Sequence, residues 1–216
     1  PDQILRLIKT YTFLTPEISY SLLPKISLLY RNQFKNSNIE ELQFLKENYA
    51  LIVPYISNLI QNSSNITKRY LFSALEILVT SSKIKMTNCF WDEFFSSLSN
   101  AEQGSWHFLK TISKNNAYLV LCNDFETRFC SVFYQENSFL FFNIIKYFAL
   151  VVCNAKNKFL AIFEKSLSLM PELKEFILNY EFDDKTKSVQ IIHYYNLISQ
   201  IAESKGFKLF SSFFVK

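Results

Sequence analysis

Glycine is almost missing from this chain: only Gly104 and Gly206 occur among 216 residues. β-Hairpins, sandwiches and barrels use glycine for backbone at positive φ. Phosphate cradles and dinucleotide folds need it clustered. Two isolated glycines therefore argue against most β architectures and most nucleotide sites. Histidine is as scarce, with only His107 and His193 and no H-x-x-x-H. Metal centres need several ligands at fixed spacing, so neither a metal nor a cofactor is expected. The four cysteines, Cys89, Cys122, Cys130 and Cys153, form no C-x-x-C pair. A chain of this length needs no disulfide staple. The cysteines read as buried thiols in a reducing compartment, which places the protein inside the cell, in nucleus or cytoplasm. A long apolar run is missing too. The best, Phe139 to Cys153, is interrupted by Asn143 and Lys146. A membrane span needs about 20 apolar residues, so this run is expected to be a buried helix. No signal peptide supports secretion, and a start at Pro1 without Met suggests a piece excised from a longer protein, a cut that would also remove a native targeting segment.

What the chain has in quantity is apolar and aromatic surface. Hydrophobic residues make up 49% and charged residues 19%, with 23 Phe and 12 Tyr. That excludes general disorder, which needs low hydrophobicity and high charge. The formal net charge of +4 comes from Lys and Arg spread along the chain, with only short pairs such as Lys68-Arg69. A solvated surface accounts for it better than a nucleic-acid footprint, which concentrates its charge on one face.

Helix start signals recur. Thr15-Pro16-Glu17 offers a cap, a proline at the first helical position and an acid near the positive helix end. Ser37-Asn38-Ile39-Glu40 fits a capping box. Asn65 is placed to cap a helix from Ile66 to about Ser82. Thr87 or Asn88, Ser105, Asp124 and Ser138 are placed to cap later ones, and Pro171-Glu172 and Asp183 or Asp184 open two more. Gly206 stands as a C-terminal stop. Apolar spacing agrees: Leu71, Leu75, Leu78 and Val79 follow the rhythm of a helix face, as do Leu42, Leu45, Tyr49 and Ile52, and Ile191, Tyr194, Ile198 and Ile201. The best strand candidate is the short stretch from Ala117 to Leu121. The fold class is all-α, and the whole of 1–216 reads as a single domain.

Catalytic groupings are weak. Cys122 or Cys130 with either histidine would make a nucleophile pair, but nothing in the sequence brings them together. Both cysteines sit beside apolar neighbours (Leu121, Phe129, Val132), where a thiol is expected to have a raised pKa and to be inert. Asp92-Glu93 and Asp183-Asp184 fall at helix starts, where caps and dipole partners explain them. No enzyme and no small-molecule substrate are expected. The aromatic zone of Phe90, Trp91, Trp106 and His107 reads first as core packing. Its sharper reading is an exposed anchor patch for a partner, since Trp dominates interface hot spots. Phe210, Phe213 and Phe214 raise the same question near the end of the chain.

One internal repeat is visible. Leu22-Leu23-Pro24-Lys25-Ile26-Ser27-Leu28-Leu29 is echoed by Ile52-Val53-Pro54-Tyr55-Ile56-Ser57-Asn58-Leu59, the prolines 30 residues apart (54 − 24). After the second copy come a polar turn, Gln61 to Asn65, and a helix starting Lys68-Arg69-Tyr70-Leu71-Phe72-Ser73-Ala74-Leu75. This arrangement resembles one unit of the HEAT/armadillo families over about Leu51 to Ser82, and more weakly from Tyr20 to Val53. The acid common in the family's turn is replaced here by Ser63, Ser64 and Asn65. The resemblance implies an α-solenoid, a right-handed stack of antiparallel helix pairs with about nine to eleven helices in this chain; an irregular helical bundle is the alternative. It also implies a non-catalytic scaffold, a subunit of a larger complex, that binds a partner peptide or helix on the second helix of each unit. Lys68, Arg69, Phe72, Ser73 and Glu76 are the candidate partner-binding positions, with Trp91 and Trp106 from the aromatic zone. The second functional reading is a nucleic-acid-associated domain of a chromosome-maintenance or DNA-repair assembly, touching phosphate through Arg31, Lys35, Lys68, Arg69, Lys83 and Lys85. No membrane role is expected.

Overall fold

The computed structural model describes residues 16–36, 52–80, 84–115 and 119–169, and the single position 6. The helix signals at Ser37 to Glu40, Pro171-Glu172, Asp183-Asp184 and Gly206 lie outside these residues. So do Lys83, His193 and Phe210 to Phe214. The described residues are helical but for turns and one minimal strand pair. They fall into two compact units, one drawn from residues 1–94 and 117–122, the other from 95–116 and 123–216.

The first unit holds α1 (Pro16–Asn36), α2 (residues 52–60), α3 (Asn65–Val79) and the beginning of α4 (Asn88–Ser99). α1 starts at the proline that the sequence marks, and it packs on α3. Pro24 lies inside α1, where the missing N–H removes one helical hydrogen bond. The internal repeat is also a repeat of burial: Leu23 and Val53 are fully buried, as are Ser27 and Ser57, whose hydroxyls have no hydrogen-bond partner. α3 turns Leu71, Leu75, Leu78 and Val79 inward at 0% exposure, the stripe its spacing requires. It is shorter than the expected span to Ser82. Ser64, rather than Asn65, stands at its N-cap, in extended backbone, with its hydroxyl 2.9 Å from that of Thr67. α4 begins at the expected signal, because Thr87 Oγ1 accepts the Phe90 N–H at 3.2 Å. Of the strand expected over Ala117 to Leu121, Leu119–Val120 is strand, paired in parallel with Ile84–Lys85, Leu121 is not, and positions 117 and 118 lie outside the described residues.

The second unit contains the end of α4, then α5 (Gln103–Asn115), α6 (Phe125–Ser131), α7 (Ser138–Asn154) and α8 (Asn157–Ser168). α5 packs on α7, and α6 packs on α8. Phe129 lies at the centre of an aromatic core, with ring centroids 5.2 Å from Phe163, 5.5 Å from Phe133 and 5.7 Å from Phe148. Phe125 and Phe133 flank it one helical turn away on either side. α7 is the expected buried helix: Phe141, Ile144, Phe148 and Val152 are all inside. Its cap is Asn137, one residue before the expected Ser138; Asn137 Oδ1 accepts the N–H groups of Phe139 at 3.0 Å and Leu140 at 3.1 Å. Among the described residues no helix is long and apolar enough to cross a membrane.

The turn from α4 to α5 departs from the glycine rule. Ala101 takes φ 54°. The Glu102 N–H donates to Ser97 O at 2.9 Å and the Ala101 N–H to Leu98 O at 3.0 Å. These two bonds make a Schellman end with alanine where glycine is usual. Gly104 lies within α5 instead. Ser105 does not cap α5 as expected, because the helix already starts at Gln103; its hydroxyl donates back to Glu102 O at 2.9 Å.

Candidate interaction site

Of the five α3 positions expected to meet a partner, two are buried. Phe72 is 1% exposed and Glu76 8% exposed. Phe72 meets Phe90 and Phe94 edge to face, with ring centroids 6.3 and 6.1 Å apart, and so ties α3 to the start of α4. Lys68 reaches the same helix and pairs with Glu93, both side chains nearly buried. Ser73 is half-buried, and Arg69 alone of the five is exposed. The family pattern puts this helix on an open concave face; here Lys68 and Phe72 meet α4 instead. Trp91 is likewise buried, its ring 5.7 Å from Phe94. Phe72 and Trp91 thus take part in packing, Glu76 is buried, and Phe90 and Trp91 are buried rather than exposed. Among the candidate phosphate-contacting residues, Arg31 donates to Thr80 Oγ1 at 3.1 Å, while Lys85 is exposed. The Lys35 side chain lies outside the described ones.

Trp106 is also buried, at 2% exposure, but it borders a surface cleft. Its indole Nε1–H donates to Leu98 O at 3.1 Å. That carbonyl belongs to the last turn of α4, where helical donors run out, so the indole ties the end of α4 to the first turns of α5. The indole ring stacks on Tyr147 of α7, centroids 6.1 Å apart and planes 24° from parallel. Beside this stack a half-open cleft of about 200 Å³ runs between α5 and α7. Trp106 and Val151 form its buried side, with half-buried Tyr147 and Leu150. Gln103 and His107 are its exposed lip, and Lys110 is half-buried between them and the interior. A closed cavity of ~150 Å³ takes up benzene, and cofactor or drug-sized pockets begin near ~300 Å³. This cleft matches one large apolar side chain. Sequence reasoning singled out Trp106 and His107 but missed Lys110 on the same helix, and it missed Tyr147, Leu150 and Val151 because their pairing with α5 is a tertiary contact without a local signal.

Of the nucleophile and acid candidates, Cys122, Cys130, His107, Asp92 and Glu93 lie among the described residues. Cys130 is fully buried, its thiol donates to the Ser166 carbonyl, and burial pushes its pKa up to about 11. Cys122 and Cys153 are half-buried and Cys89, in the first turn of α4, is exposed, so the expectation of four buried thiols holds only at Cys130. Asp92 is exposed, while its neighbour Glu93 takes the Lys68 ion pair. Among the described residues no three His, Cys, Asp or Glu side chains cluster as metal ligands would.

The chain matches no protein-family model, no curated protein and no solved structure.

Proposed function

We propose that the protein is a non-catalytic interaction module, a helical scaffold that captures an extended or helical segment of another protein. The observation that carries this reading is the cleft between α5 and α7, with its aromatic wall of Trp106 and Tyr147 and its exposed lip. A pocket for one side chain, walled by rigid aromatics, is how protein surfaces hold an anchor residue. The stacked-helix architecture is part of the proposal. α5 against α7 and α6 against α8 is the alternation expected when helix pairs stack in two layers. The shared burial of the Pro24 and Pro54 segments supports a repeating unit of HEAT/armadillo type.

The test is recovery of binding proteins from a lysate of the source organism, after nuclease treatment, by the native chain and by Leu150→Arg in parallel. Leu150 is half-buried on the cleft wall, so arginine there fills the cleft without entering the core. A discrete protein recovered by the native chain and lost with Leu150→Arg supports the reading. Recovery that collapses with nuclease, or that is the same for both chains, overturns it.

A further inference from the structure

Resting on that reading, we infer that the occupant of the α5–α7 cleft is an acidic peptide segment with one large apolar anchor side chain. The argument is charge complementarity around an apolar slot. α5 carries His107, Lys110 and Lys114 and no Asp or Glu; α7 carries Lys146 and no Asp or Glu. Lys110 lines the cleft itself. Lys114 follows it by four residues, and Lys146 precedes the cleft residue Leu150 by four, so each lies one turn from the cleft on the same side of its helix. Lys114 and Lys146 are exposed. The nearest acid in sequence, Glu102, precedes α5 and is half-buried, with its carbonyl holding the Trp106 and Ser105 donors. The slot is thus bordered along both helices by positive charge.

Nucleic acid would use the same charge, but the aromatic geometry disfavours it. Single-strand binding needs open aromatic faces on which bases stack. Trp106 is 2% exposed, and its face is already stacked on Tyr147. What remains for a ligand is a recess lined by aliphatic and ring edges, suited to Phe, Trp or Leu. Carboxylates flanking that anchor would meet Lys110, Lys114 and Lys146, which set the rate and specificity of encounter more than its strength.

The experiment is selection of a displayed random peptide library on the full chain, with Leu150→Arg as counter-selection. The second stage measures affinities for the native chain and for Lys110→Glu/Lys114→Glu, with helicity checked by circular dichroism. The expected result is peptides with one aromatic or Leu anchor and an excess of Asp and Glu. Their Kd rises about tenfold on the charge reversal and recovers when peptide acids are replaced by Lys. Leu150-dependent peptides without acidic excess, indifferent to the charge reversal, overturn this inference and leave the interaction module standing. No Leu150-dependent peptide at all overturns both. An oligothymidylate probe that binds the native chain and is lost with both Leu150→Arg and the charge reversal overturns both in favour of nucleic acid.

Discussion

Trp106 stacks on Tyr147 with ring centroids 6.1 Å apart, while the same indole donates its N–H to Leu98 O. One side chain thus joins three helices: it ends α4, belongs to α5 and leans on α7. The consequence for stability is direct. Trp106→Ala is expected to cost about 3–5 kcal/mol, the range for large-to-small changes at buried aromatics. Trp106→Phe keeps a ring but loses the donor, and is expected to cost about 1–3 kcal/mol. Denaturant midpoints at unchanged m-value give both numbers.

Ala101 predicts a gain. An L-residue at φ 54° holds its Cβ against the following carbonyl, at about 1–2 kcal/mol relative to ordinary helical backbone. Glycine avoids this but gives up more freedom in the unfolded chain. Ala101→Gly is expected to raise stability by about 0.5–1 kcal/mol, seen as a higher melting temperature. A loss of stability would show that the Schellman end between α4 and α5 does not form.

Two ion pairs should differ in worth. Lys68 and Glu93 are 12% and 19% exposed, whereas Lys165 is 66% exposed where it meets Glu126. Double-mutant cycles should give a coupling of about 1–3 kcal/mol for the first pair and below about 1 kcal/mol for the second. The second has a pH signature. The hydrogen bond from Lys165 holds the Glu126 carboxyl below the usual carboxylate range. A depressed folded-state pKa stabilises above the unfolded value and is lost as pH falls through the folded one. The native chain should therefore exceed Glu126→Gln slightly at neutral pH and converge with it in acid.

The thiols should react in a fixed order. Cys89 is exposed and Cys130 fully buried. With its pKa near 11, Cys130 is thiolate at only about one part in a thousand at pH 8. A disulfide reagent at that pH should label Cys89 first, Cys122 and Cys153 more slowly, and Cys130 only on unfolding. Because the unfolded thiol ionises near its ordinary pKa of 9.0, stability from this group falls as pH rises from that value toward the folded pKa.

These results also mark what the sequence could convey. Pro16 and Thr87 announce their helices by chemistry that acts within a turn, and the structure places both there. The stripe of Leu71, Leu75 and Leu78 and the buried run of α7 were legible for the same reason. Ala101 was not, since the sequence favours Gly104 for the turn, and the strain is held by the two hydrogen bonds of the helix end. The candidate site was half legible. Trp106 stood out by residue type alone, but Tyr147 and Leu150 lie on a distant helix whose spacing says only that one face is apolar. Whether Phe72 faces a partner or α4 is likewise decided by which helix lies against α3, and the Lys68–Glu93 pair records that outcome.

The most direct test of the cleft as the recognition site uses the two tryptophans as reporters. Trp91 and Trp106 are the only indoles in the chain, so a nitrogen–proton correlation spectrum should contain two indole signals, assigned with Trp91→Phe. The ligand is an acidic peptide bearing a single Phe anchor. The account predicts that titration shifts the Trp106 indole signal progressively, leaves that of Trp91 in place, and shifts neither in Leu150→Arg. Saturable binding of that peptide with the Trp106 signal unmoved would contradict it.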